Sequence, residues 1–108
     1  MGRMQRDKGA NYEREIARRL RNIFPNAMRN VTETQTGQGV DLTGTGNLRI
    51  QCKRHKAYAP ISRLEEVPKT PGVIPVLVTK GDRQPDVAVL YLDDLLRILE
   101  DIGIVYVE

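Results

Sequence analysis

Asp41, Gln51 and Lys53 are the residues of this 108-residue chain whose types and spacing most plainly suit chemistry. Asp41 lies in Gly39-Val40-Asp41-Leu42, and Gln51 and Lys53 lie in Leu48-Arg49-Ile50-Gln51-Cys52-Lys53. Between the two β-type runs is the turn Gly44-Thr45-Gly46-Asn47. A side-chain period of two puts Gln51 and Lys53 on one face and Leu48, Ile50 and Cys52 on the other. By the same alternation Asp41 faces away from Val40 and Leu42. A carboxylate, an amide oxygen and an ammonium on one polar face of a hairpin suit metal-dependent phosphodiester chemistry. Mg²⁺ is a hard cation that takes oxygen ligands and keeps several waters. Asp41, the Gln51 side-chain oxygen and the backbone carbonyl of Cys52 are ligands of that kind. Lys53 can orient or deprotonate a metal-bound water, or stabilise the charge of the transition state. The plainer alternative for each polar residue is an exposed position on an edge strand.

A helix must bring the next member. Residues from Asn11 to Phe24 read as helical, with Asn11 as the cap and Pro25 as the stop. On a wheel of about 100° per residue, Ile16, Ala17, Leu20 and Phe24 form the apolar face, and Glu13 falls in its middle. A carboxylate on a core-facing stripe is costly unless a cation compensates it, which makes Glu13 a candidate second metal ligand. The alternative is a first-turn residue near solvent, favoured by the helix dipole. Glu15 falls on the opposite side and is expected to pair with Arg19.

The remaining elements frame the hairpin. Residues 1–9 read as a basic flexible arm, with residues 10–108 as a single domain. A weak strand is expected over Ala27 to Glu33 and a short helix around Ser62 to Val67. A buried strand is expected at Val73 to Thr79 and another strand at Val87 to Leu92. A helix capped by Asp93 or Asp94 should run to about Asp101, and Gly103 should stop it before a last strand at Ile104 to Val107. This order implies an α/β domain with a mixed central β-sheet flanked by helices.

Composition narrows the partners. Hydrophobic residues at 40% and charged residues at 29% exclude a disordered chain. No apolar run approaches the roughly 18 residues of a membrane span. The charged opening from Arg3 lacks the apolar core of a secretory signal, so a cytoplasmic protein is expected. One cysteine excludes an internal disulfide and a Cys-rich zinc site, and one histidine argues against a His-based centre. Residues 1–60 carry twelve Lys and Arg against five Asp and Glu, whereas residues 61–108 carry five against nine. The basic half is also the half with the candidate site, which points to a polyanion such as nucleic acid. Arg3, Arg6, Lys8, Arg29, Arg54 and Lys56 are the expected phosphate contacts. With four Tyr, one Phe and no Trp there is little material for stacking on unpaired bases. Cys52 is expected in the core rather than as a nucleophile.

The ordered motifs resemble the PD-(D/E)XK nuclease superfamily and, within it, the archaeal-type Holliday junction resolvases. Lys8-Gly9-Ala10-Asn11-Tyr12-Glu13-Arg14-Glu15 is similar to their opening lysine-glycine and helix-borne Glu-Arg. Arg29 is similar to an arginine strand, and Thr36-Gly37 to a Ser-Gly loop, which makes Thr36 a candidate catalytic residue. Gly39-Val40-Asp41-Leu42 matches the metal-binding aspartate, and Ile50-Gln51-Cys52-Lys53-Arg54 the second half of the signature. The runs Pro75 to Thr79 and Leu90 to Leu96 are similar to the closing strands and helix, so the resemblance covers most of the chain. It implies a restriction-endonuclease-like core and a Mg²⁺-dependent endonuclease, with Mn²⁺ as a substitute, acting on four-way DNA junctions in recombination and repair. It also implies a homodimer, for which the apolar tail after Val73 is the candidate surface.

The family carries Glu where this chain has Gln51, a departure shared with Mrr-like endonucleases acting on modified or linear duplex. Restoring Glu at position 51 is expected, from the sequence, to bind metal at least as well. Two non-catalytic alternatives remain: a silent DNA-binding module of the same fold, and a protein-interaction domain.

Overall fold

The computed structural model describes residues 2–31 and 40–103, with the side chains of residues 2–7 excepted. The first helix, α1, spans Gly2–Leu20. It therefore runs through the residues expected to form a flexible arm, and Asn11 lies inside it rather than at its cap. The physical reason is propensity: Arg, Met, Gln, Lys and Ala all favour helix, and a single Gly9 costs only about 1 kcal/mol. Arg18 and Arg19 in the last turn complement the dipole. The chain then tightens, with Phe24 N–H donating to Leu20 O at 2.7 Å, and Pro25 prevents continuation.

Two short strands follow. β1 (Met28–Arg29) pairs antiparallel with β2 (Leu42–Thr43), with Arg29 opposite Leu42. Strand β3 (Leu48–Arg54) pairs in parallel with β4 (Ile74–Lys80), and β4 pairs antiparallel with β5 (Val87–Val89). The result is a mixed three-stranded sheet in the order β3-β4-β5. The expected hairpin of β2 with β3 is thus replaced by a β1–β2 ladder. β2 still meets β3, through Asp41 N–H donating to Ile50 O at 2.8 Å. The turn between them depends on glycine: Gly44 has φ +76°, and a Cβ there would run into the Asn26 carbonyl.

The parallel β3–β4 pair requires a crossover, and this carries the short helix α2 (Ser62–Glu65). The last helix, α3, spans Leu92–Ile102 and ends at Gly103 in the left-handed region. Its N-cap position is Tyr91, not Asp93 or Asp94. Both aspartates lie in the first turn, where they complement the dipole. The strand expected at Ile104 to Val107 lies outside the described residues.

Apolar layers cover both faces of the sheet. On one, Tyr12, Ile16 and Ala17 of α1 pack with Leu42, Ile50, Cys52, Ile74 and Val76. On the other, Ala59 and Leu64 pack on Leu77, with Val89 and Tyr91 at the margin. Leu77 is the register partner of Gln51. Gln51 therefore lies beneath the crossover and is 3% exposed, on a covered face of the edge strand β3 rather than an open one. No helix among the described residues is long and apolar enough to cross a membrane.

Asp86, just before β5, ties α1 to the sheet. It accepts from the Tyr12 hydroxyl at 2.8 Å and from Arg19 Nη1 at 3.0 Å. Arg19 is thereby paired across the fold rather than with Glu15. Burial works to raise the Asp86 carboxyl, but the Tyr12 and Arg19 hydrogen bonds outweigh it and hold the group below its usual range. A depressed carboxyl stabilises the fold above the unfolded pKa of about 4 and loses that contribution as pH falls through the folded value. Tyr12→Phe should cost about 1–2 kcal/mol, measured by denaturant unfolding. Asp86→Asn should flatten the acid limb of the stability profile below about pH 4; an unchanged acid limb would assign the acid sensitivity to another group.

Candidate active site

Strand β3 provides the platform. Asp41 is fixed against its edge twice: its N–H donates to Ile50 O, and its Oδ2 accepts from Cys52 N–H at 2.8 Å. On the far side, Asp41 O accepts from Asn30 N–H at 2.8 Å. Val40 and Leu42 are buried as the alternation requires, which leaves the Asp41 carboxylate turned towards β3. In an extended strand the N–H and C=O of one residue leave the same edge. The Cys52 carbonyl therefore shares the edge that faces Asp41.

Glu13 reaches the same region from α1. Its side chain is 17% exposed, and Arg29 Nε donates to its Oε1 at 2.7 Å. Arg29 is thus paired with Glu13, with one third of its side chain still exposed. Burial pushes the Glu13 carboxyl up, the Arg29 hydrogen bond opposes it, and the Asp41 charge raises it further. Burial likewise raises Asp41, with the Cys52 N–H and the Lys53 and Arg29 charges pulling the other way. The Lys53 ammonium acts favourably on Glu13, Asp41 and also Glu66. These carboxylates come from three different segments, and the charge of one cation reaches all three.

Gln51 is the unusual member. Its Nε2 donates to Glu66 Oε1 at 3.1 Å, while its own Oε1 is buried with no hydrogen-bond donor. Arg63 Nη1 also donates to Glu66, at 2.6 Å, and with Gln51 holds that carboxyl below its usual range. Glu66 was not legible as a site residue. Fifteen positions separate it from Gln51, and only the tertiary path of the crossover brings them together.

The other expected residues divide clearly. Lys8 and Lys56 are exposed. Arg54 is paired with Asp82 at 3.2 Å beside His55. Cys52 is in the core, and burial, followed by the Asp41 and Glu13 charges, pushes its thiol far up, so it is no nucleophile. Thr36 lies outside the described residues, as do the side chains of Arg3 and Arg6.

Among the described residues, no three His, Cys, Asp or Glu side chains are grouped to hold a metal. The oxygen donors on offer are Asp41 and Glu13, whose charges act on each other, the Cys52 carbonyl on the edge that faces Asp41, and the Gln51 oxygen, buried under the crossover without a donor. This set fits Mg²⁺, which is commonly held by one or two carboxylates plus substrate phosphate rather than by an all-protein cage. The Gln51 oxygen agrees with that fit, because a buried carbonyl without a donor is costly unless a cation or water meets it; Gln84 Oε1 and Asp94 Oδ2 are in the same state elsewhere in the fold. Comparisons of the chain with family models, curated proteins and solved structures return no match.

A carboxylate kept for function costs the folded state, whereas a structural one supports it. In EDTA at neutral pH, Asp41→Asn should melt at or above the wild-type temperature, because Asn still accepts from Cys52 N–H without a buried charge. A fall of more than about 5 °C, roughly 1 kcal/mol for a domain of this size, would make Asp41 structural.

Proposed function

We propose that this chain is a Mg²⁺-dependent DNA endonuclease with a restriction-endonuclease-like core, resolving four-way junctions as a homodimer. One observation carries the reading. Asp41 is hydrogen-bonded to the backbone of β3, the strand that carries Lys53 and the donorless Gln51 oxygen, and Glu13 of α1 is close enough for its charge and that of Lys53 to act on Asp41 and on each other.

Asp41 and Glu13 would hold the cation, with the Gln51 and Cys52 oxygens completing the protein's share. When bound, the ion supplies an acidified water and neutralises charge on the scissile phosphate. Lys53 orients that water or takes its proton, and its ammonium offsets charge that builds on the phosphoryl oxygens. Lys8, Lys56 and Arg54 would give sequence-independent phosphate contacts. Arg29 holds the Glu13 side chain in place.

A second copy would place two such sites on opposed strands. Supporting the homodimer, α3 exposes Leu92, Leu95, Leu96 and Ile102, with Leu96 47% and Ile102 64% accessible. Apolar area of this kind on a helix face suits an isologous contact. Leu96→Lys should then convert the dimer to a monomer by light scattering; a wild type that is monomeric at assay concentration would reject the dimer.

A second reading also has an observation in its favour. Gln51 is neutral where the resembling family carries a carboxylate, which suits a catalytically silent DNA-binding module. The deciding experiment compares a labelled four-way junction with linear duplex, in Mg²⁺ and in EDTA. Wild type should cut the junction in Mg²⁺ only. Lys53→Ala should slow cleavage by about 100-fold or more, and Asp41→Asn should abolish it. Linear duplex cut as well as the junction would replace the resolvase reading with the Mrr-like one. Salt-sensitive junction binding without cleavage in Mg²⁺ or Mn²⁺ would establish the silent module. Absence of salt-dependent DNA binding would remove nucleic acid from the reading altogether.

A further inference from the structure

We propose that Glu66 is a positioning residue of the metal site: it fixes the Gln51 amide so that oxygen, not nitrogen, is offered to the cation. The inference rests on the metal-site reading above and concerns a residue outside every motif of the sequence.

An amide side chain has two ends of opposite hydrogen-bonding character. In the buried surroundings of Gln51, only a specific partner decides which end faces which way. Glu66 is acceptor-only when ionised, so it takes the Nε2 end, at 3.1 Å. That leaves Gln51 Oε1, buried and without a donor, as the end available to a cation. Arg63 in turn fixes Glu66 from the solvent side, at 2.6 Å. Arg63, Glu66 and Gln51 thus form a hydrogen-bonded chain from the surface to the buried amide.

Glu66 also brings a negative charge next to a position where a neutral side chain stands. Gln51 and Glu66 together hold one amide and one carboxylate, the same two groups that a glutamate at 51 supported by a glutamine at 66 would hold in reverse. This alters what to expect of Gln51→Glu. Acting alone, that substitution places two carboxylates at hydrogen-bond distance with no donor between them, and like charges so close oppose joint ionisation. The exchange needs both positions.

The test is Mn²⁺ binding by calorimetry without DNA, with melting temperatures in EDTA as the folding control. Glu66→Ala should weaken Mn²⁺ binding by about tenfold, the scale of losing a partner that orients a ligand. Glu66→Gln retains an acceptor for Gln51 Nε2 and should stay within about threefold of wild type on the same scale. The double variant Gln51→Glu/Glu66→Gln should bind Mn²⁺ more tightly than Gln51→Glu alone. A merely structural Glu66 would lower the EDTA melting temperature without this reciprocal rescue. If Glu66→Ala binds Mn²⁺ as wild type does, or the double variant gains nothing over the single, the positioning role is overturned. Failure of the underlying reading is separately visible: wild type would then take up no Mn²⁺, or Asp41→Asn would bind it unchanged.

Discussion

The contact on which the rest depends is the hydrogen bond from Cys52 N–H to the Asp41 carboxylate, at 2.8 Å. It uses a backbone donor on the free edge of β3 to seat a charged side chain that burial disfavours. With the Asp41 N–H to Ile50 O bond it also forms the joint between the two sheets. The same joint sets the depth of the carboxylate and the approach of α1, whose Tyr12, Ile16 and Ala17 pack on the Ile50 and Cys52 side chains. Glu13 is carried in by that packing. The acidic members of the site are placed by the core, and the core is arranged so that their charges remain incompletely compensated.

Much of this was legible because it followed from periodicity. The alternation around Asp41 correctly buried Val40 and Leu42, and the alternation in β3 correctly buried Ile50 and Cys52. The helix wheel placed Glu13 towards the core. The mixed sheet, the crossover helix and the left-handed stop at Gly103 also followed from local signals.

What was not legible depended on tertiary partners. Gln51 looked like a half-exposed strand residue, and only the crossover packing over Leu77 buries it. Arg29 and Arg19 each pair with a carboxylate distant in sequence, Glu13 and Asp86, which no local spacing signals. The helix starts well before Asn11, because the residues around Gly9 favour helix strongly enough to absorb one glycine. Sequence pattern reports which face a residue occupies; it does not report what the rest of the chain lays over that face.

The parallel pairing of β3 with β4 has a consequence for when the site can exist. Glu13, Asp41, Gln51, Lys53 and Glu66 have all been synthesised by position 66, yet β3 gains its ladder partner only from residues 74–80. Closing that crossover pays loop entropy before any contact returns it. Local helix formation in α1 cannot substitute, because it supplies only Glu13. The site is therefore a late product of folding, and a growing or partly opened chain holds all of its chemistry in the wrong places. An incompletely folded chain therefore does not assemble the proposed site.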